Sequence, residues 1–332
     1  VWNRQLPEDR LPFIYMPCVL NYYDIIYPDP ERLDLALQEF EARAFLDDDF
    51  VPTLFPGCRQ ETIPSMFGAG SGEAMRIIHD EEDIDNLPDP EIIPGSAADE
   101  MLKTQRYLLE ETEGAFPVNV MDMQGPVEVA AKMWGYEDFF ITAYTNPDLC
   151  HRLMQKLSQA FIMLWEEQRK NLGDLMIPNH LWGWNYAPQN IGASLSSDGL
   201  VMVSNEFSRE FYNPSTNDIS RHFDGISVHS CGDFSATVPS LLELENLRCI
   251  HAGQMKLTEL FQAGIRDQVT TIAFSTEADF PEAMALAQRE KMPCFLTISD
   301  FWPEKSWREW TPDDRKQLQE KHRNKLAAAA VR

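Results

Sequence analysis

The sequence predicts an α/β protein, a (β/α)8 TIM barrel in a single domain with an N-terminal extension. Two observations carry this. About eight short apolar runs alternate with helical stretches along the chain, the pattern of parallel strands joined by helical crossovers. Polar residues gather just after those runs, at Tyr22, Asp122, His180, His229, Cys231, His251, Glu277 and Asp300. In this fold the functional groups sit at the C-terminal ends of the strands. Size agrees: 332 residues, 44% of them apolar and eight of them Trp, suffice for one domain over 1–332 with its core at 10–325.

Taken in order, residues 11–20 form an apolar run bounded by Pro12 and Pro17, a buried first strand with Tyr22 and Tyr23 at its end. Asp29-Pro30 supplies an N-cap and a first-turn proline, and Leu33, Leu37, Phe40 and Ala44 then recur on one helical face. Residues 50–55 read as the second strand, ending at Pro56-Gly57-Cys58. The glycine-rich run 68–72 has neither dinucleotide-binding spacing nor the lysine of a phosphate loop, so it is a plain loop. Residues 86–96, with Pro88, Pro90 and Pro94, are a connector, after which Ser96 and Asp99 cap a helix to about Glu111.

Residues 116–122 are the third strand, turning at Gln124-Gly125-Pro126 into a helix through Val129 and Met133. Asn146-Pro147 opens the longest helix, striped by Leu149, Leu153, Leu157, Phe161 and Leu164 until Gly173. Residues 174–177 are expected as the fourth strand, followed by an aromatic loop from His180 to Tyr186, and 206–212 as helix. Strands at 226–228, 247–250, 270–274 and 294–298 complete the set, and Thr311-Pro312-Asp313-Asp314 starts a closing helix.

A net charge of −25 argues against nucleic acid, which needs a basic footprint, and against anionic membranes. The six cysteines show no CxxC pair and no dense framework, which points to a reducing compartment. No apolar signal core follows Val1-Trp2-Asn3-Arg4 and no run approaches transmembrane length, so a soluble cytoplasmic protein is expected.

The chemistry concentrates in residues 223–233. A short strand runs into a turn bearing His229, Cys231 and Asp233. His229 and Cys231 are two residues apart, so their side chains leave the strand on one face. Imidazole and thiolate together suit zinc better than magnesium or calcium. Gly232 permits a tight turn beside them.

Four segments carry a resemblance: Asp198-Gly199-Leu200-Val201-Met202-Val203-Ser204 with Phe207 and Phe211; Gly225-Ile226-Ser227-Val228-His229-Ser230-Cys231-Gly232; Gln124-Gly125-Pro126-Val127; and residues 48–54 with Phe67-Gly68. Together they resemble the uroporphyrinogen decarboxylase superfamily, in particular its zinc-dependent, corrinoid-linked methyltransferase branch. The resemblance implies methyl transfer between a corrinoid (methylcobalamin on a separate corrinoid protein) and a thiol or a methylated or methoxylated small molecule, O-demethylation included. It makes His229 and Cys231 zinc ligands. The branch draws its third ligand from a Cys just after the last strand, where this chain has Ser299-Asp300, so Asp300 ranks first as third ligand, with loop capping as its plainer role; His251 and Glu277 at other strand ends, and Cys294 at the opposite end of that strand, are the alternatives. The decarboxylases themselves carry an Arg-rich N-terminal loop. Residues 11–23 here contain no Arg, so the porphyrinogen carboxylates would lack bidentate partners.

Asp122, His251 and Glu277 are the candidate catalytic or ligand-orienting groups, with backbone capping the plainer role for Asp122. Tyr22, Trp182, Trp184, Tyr186 and Trp302 are expected to wall the mouth and take the cofactor. A homodimer is compatible with the sequence. Two rival functions exist. A metal-free lyase would need a cationic clamp, for which Arg59, Arg76 and Arg209 are available. A non-catalytic binding barrel would explain the missing late Cys.

Overall fold

The computed structural model describes residues 3–4, 10–16, 29–179, 186–303 and 306–330. Its strands are β1 (Phe13–Tyr15), β2 (Val118–Asn119), β3 (Met176–Ile177), β4 (Ala193–Ser196), β5 (Ile226–Ser230), β6 (Leu247–Lys256), β7 (Thr270–Ser275) and β8 (Cys294–Ile298). Six form one parallel sheet in the order β1-β8-β7-β6-β5-β4, and β2 pairs with β3. Single parallel bridges, Leu54–Val118, Cys58–Asp122 and Gln124–Ser196, lead from the 54–58 segment past β2 to β4. The Asp49 N–H donates to Phe13 O at 3.1 Å, tying the approach to that segment onto β1. The (β/α)8 class is borne out, with part of the ring stitched by isolated bridges.

The helices are α1 (Pro30–Arg43), α2 (Glu81–Asn86), α3 (Ala97–Glu111), α4 (Pro126–Trp134), α5 (Tyr136–Thr145), α6 (Pro147–Leu172), α7 (Asn205–Phe207), α8 (Asn213–Phe223), α9 (Val238–Leu241), α10 (Leu257–Gln262), α11 (Phe280–Glu290) and α12 (Pro312–Ala329). Their ends follow local chemistry. Asp29 accepts from Glu31 N before α1, Ser96 from Asp99 N before α3, and Thr311 forms a capping box with Asp314 before α12. Gly173 stops α6, whose stripe of Leu149, Leu153, Leu157, Phe161 and Leu164 is fully buried. None of these helices is long and apolar enough to cross a membrane.

Five expectations change. The first strand contracts to Phe13–Tyr15, and the third, expected at 116–122, to Val118–Asn119. Residues 50–55 contribute only the bridge at Leu54, because Pro52 and Pro56 cannot donate to a ladder. The strand expected at 174–177 shrinks to Met176–Ile177 beside β2, and the strand that pairs with β5 is Ala193–Ser196. That Ala-Ser-Leu-Ser run is too polar to read as core, yet all four residues are buried. The helix expected at 206–212 continues to Phe223 through a π turn at Ser208–Tyr212, which precedes Pro214 and its missing N–H.

The starts of β4 and β5 are pressed together. Gly192 has φ +81°, and a Cβ there would fall 2.0 Å from the Gly225 carbonyl oxygen. Gly192→Ala should therefore cost more than about 3 kcal/mol, combining left-handed strain with a backbone clash. Urea unfolding measures it, and a loss below about 1 kcal/mol would contradict this packing.

Candidate metal centre

Strand register assembles the site. β4 and β5 are parallel with Ser196 beside His229, and β5 and β6 are parallel with His229 beside His251. Two residues beyond that pairing, where side chains again face the same way, Asp198 comes level with Cys231. The turn holds this level: Ser197 N–H donates to His229 O at 2.8 Å, and Cys231 N–H donates to Asp198 Oδ1 at 2.8 Å. Ligand atoms of Asp198, His229 and Cys231 lie within 4.8 Å of one another, the one such group of three or more His, Cys, Asp or Glu among the described residues.

His229 Nε2 stands 3.4 Å from Cys231 Sγ and 3.7 Å from Asp198 Oδ1. A tetrahedral zinc with Zn–S of roughly 2.3 Å and Zn–N or Zn–O of roughly 2.0–2.2 Å spaces its donors about 3.4–3.6 Å apart. The first separation falls within that range and the second is slightly longer than it, so both are near the edges of a zinc tetrahedron. The other imidazole nitrogen, Nδ1, lies 2.8 Å from His251 Nδ1, which leaves Nε2 as the ligand atom and fixes the ring plane. Burial pushes the His229 pKa down, keeping the ring neutral as a ligand must be. Burial, with Asp198 beside it, pushes the Cys231 thiol up to about 12. The thiol therefore stays protonated until a cation joins it, and bound zinc reverses that.

Asp122 is buried beneath this group and accepts from Ser196 Oγ at 2.7 Å; its charge is felt by both His229 and Cys231. Gln254 Oε1 accepts from Gly232 N–H at 2.8 Å, steadying the turn after Cys231.

The Asp198 turn also rests on α4. Glu128 Oε1 accepts from Gly199 N–H at 2.9 Å, and a Cβ on Gly199 would lie 2.9 Å from the same oxygen. A larger residue there would push the Glu128 carboxylate away from the turn. Glu128 is buried, its Oε2 has no hydrogen-bond partner among the described residues, and burial pushes its pKa to about 7. Glu128→Gln keeps the acceptor and should retain zinc, whereas Glu128→Leu should weaken zinc roughly 10–100-fold. Stability of the metal-free protein carries a second signature. The unfolded carboxyl ionises near its ordinary value of 4.5 and the folded one at about 7. Stability is therefore full below about pH 4.5, falls by on the order of 3 kcal/mol between pH 4.5 and 7, and levels off above 7. Glu128→Gln should flatten that slope in urea titrations; an unchanged slope would contradict the assignment.

The sequence-derived candidates divide. His229 and Cys231 are brought together, with His251 and Asp122 against them. Asp300 is not in the group: its Oδ1 accepts from Glu277 N–H at 2.6 Å, so it caps the β7–α11 loop. Glu277 is drawn to α12, 2.5 Å from Lys321 Nζ and 3.4 Å from Lys325 Nζ, and takes no part in the cluster. Trp302 stacks on Trp310, with ring centroids 5.4 Å apart, and edges onto Tyr15, so it belongs to an aromatic cluster under α12. Tyr186 is exposed. Tyr22, Trp182 and Trp184 lie outside the described residues. Cys294 begins β8, fully buried. Asp198 is the residue the sequence reading missed. The quoted 198–204 segment contained it, but only the register with Cys231 gives it a role.

Residues 67–189 match the family described as Uroporphyrinogen decarboxylase (URO-D), a stretch that includes Gln124-Gly125-Pro126 and ends before His229. Among solved structures, a methyltransferase from Methanosarcina mazei aligns with TM-score 0.62 and 12% identity over 97% of this chain and 95% of that one. The carboxyl transferase domain of Rhizobium etli pyruvate carboxylase aligns over 98% of this chain and 57% of that chain at 13% identity, but with a TM-score of only 0.23. Curated protein sequences gave no match. The uroporphyrinogen decarboxylase resemblance is borne out over residues 67–189, and the first structural likeness is one of fold.

Proposed function

We propose that the protein is a zinc-dependent methyltransferase, moving a methyl group between a corrinoid carried by a separate protein and a thiol or a methylated or methoxylated small molecule. The observation that carries the reading is the gathering of His229 Nε2, Cys231 Sγ and an Asp198 carboxylate oxygen within 4.8 Å of one another, three donors that could hold one zinc and leave a fourth position to substrate. When bound, zinc would supply a Lewis acid that keeps a thiol ionised or polarises a methyl ether oxygen. The chain's own residues do the rest. His251 holds the His229 ring so that Nε2 faces the ligand position. Asp198 takes the place of the second thiolate, giving a harder, less electron-rich site. Asp122, anchored by Ser196 beside the strand that carries His229, is the carboxylate assigned to accept a proton released from the substrate thiol. The similarity to a methyltransferase from Methanosarcina mazei is in keeping with this reading.

The metal-free lyase is less well supported. Each candidate clamp is paired already: Arg59 with Glu61 at 3.0 Å, Arg76 with Asp138 at 2.6 Å and Arg209 with Glu243 at 2.7 Å. The binding-only reading loses its main argument once Asp198 stands where a third ligand is needed. The test is conversion of methylcobalamin to the demethylated corrinoid, followed spectroscopically with a panel of thiols. Turnover that requires zinc and disappears on chelation is expected. Equal turnover by chelated protein would contradict the proposal.

A further inference from the structure

At the pole opposite the metal centre, a cavity of about 370 Å³ is lined by Asn3, Arg4, Asn190, Ile191, Asp224 and Arg248. Asn190 and Ile191 lie just before β4, Asp224 just before β5, and Arg248 is the second residue of β6, so the cavity sits where three neighbouring strands begin. Seven residues along the chain separate Asp224 from Cys231, on the order of 20 Å in a strand. Two guanidinium groups from distant parts of the sequence line this cavity, with little charge to oppose them. Arg4 has no ion pair or hydrogen bond among the described residues. Arg248 Nη2 donates to the Asp224 carbonyl at 3.0 Å, which ties the guanidinium to the end of α8. Its Nε is buried with no hydrogen-bond partner among the described residues, so the cation is cut off from part of its hydration. The Asp224 carboxylate stands 3.9 Å from Nη2, beyond hydrogen-bonding reach, and is 90% exposed, so it offsets little of that charge. Acidic residues outnumber Lys and Arg 53 to 28, and arginines such as Arg209 and Arg221 are held by carboxylates at 2.7 and 2.5 Å. Arg4 and Arg248 are not held in this way.

We propose that this cavity binds a phosphate group, free or carried on a small organic molecule. The lining selects it. Asn3, Arg4, Asn190 and Arg248 offer N–H donors, and among the described lining residues Asp224 alone offers a carboxylate, so the ligand is an acceptor-rich anion. Guanidinium forks match phosphate oxygens bidentately, and two of them offset a dianion where one would not. Ile191 is the one apolar side chain among the described lining residues, so any body attached to the phosphate is polar. The cavity has the liquid volume of roughly a dozen waters, which leaves room for a short one beside the phosphate. The bound anion would tie the N-terminal segment at Asn3 and Arg4 to the starts of β4, β5 and β6. Its distance from His229 and Cys231 makes it independent of the metal and of the methyltransferase reading.

The test is isothermal calorimetry of the full chain, zinc-loaded and metal-free, with inorganic phosphate and with glycerol 3-phosphate at constant ionic strength. Saturable binding of at least one probe at one equivalent is expected, equal in both metal states. Arg4→Gln and Arg248→Gln should each weaken it about tenfold or more with zinc content unchanged, and Arg248→Lys should recover part of the loss. Arg4 is exposed, so Arg4→Gln leaves the core untouched and decides the matter if Arg248→Gln does not fold. Tighter binding of inorganic phosphate would identify the free ion as the ligand, and tighter binding of glycerol 3-phosphate a phosphorylated small molecule. Binding of neither probe, affinity unchanged in either glutamine variant, binding that requires zinc, or equal heat from sodium chloride would overturn the proposal.

Discussion

Cys231→Ala protein, purified without chelator, is expected to fold, to contain essentially no zinc and to lose methyl transfer. Cys231 is half-buried just beyond β5, so truncating it opens no large cavity and should cost no more than about 1 kcal/mol of metal-free stability. The function rests on it far more heavily. The remaining His229 and Asp198 would be a two-ligand site, and the only soft donor would be gone. Activity should fall on the order of a thousandfold or more, the scale expected when several kcal/mol of Lewis-acid stabilisation are lost. Cys231→Ala protein with stoichiometric zinc would refute Cys231 as a ligand.

The second large effect separates two aspartates. Asp198→Ala should weaken zinc by more than the roughly 10–100-fold typical of an outer-shell change, because it removes a ligand and also the acceptor for Cys231 N–H. Asp300→Ala should leave zinc affinity within about twofold and cost about 1 kcal/mol of stability, the worth of its bond to Glu277 N–H. Competition with a chromogenic chelator measures the first, and urea unfolding the second. Strong zinc loss in Asp300→Ala with none in Asp198→Ala would restore the sequence-based assignment.

The two halves of the centre were not equally legible. His229 and Cys231 could be read because a spacing of two on a strand is a local signal. Helix starts such as Asp29-Pro30, Ser96 and Thr311 could be read for the same reason. Asp198 depends on which strand lies beside β5. That strand, Ala193–Ser196, hides in a serine-rich run whose burial is made tolerable by bonds such as Ser196 Oγ to Asp122. Asp300 and Glu277 do follow strands, as expected, but a strand end does not say which way the next side chain turns. The lysines of α12, some 45 residues away in sequence, draw Glu277 outward, and Asp300 then bonds its backbone. Trp302 misled in the same manner: its ring is claimed by Trp310 and Tyr15.

The most direct test of the account is zinc-edge X-ray absorption on wild-type protein loaded with a single equivalent of zinc. The account predicts one sulfur at roughly 2.3 Å and nitrogen or oxygen donors at roughly 2.0–2.2 Å, the signature of Cys231 with His229, Asp198 and an exchangeable fourth ligand. Two sulfur ligands, or a protein that holds no zinc under these conditions, would contradict it.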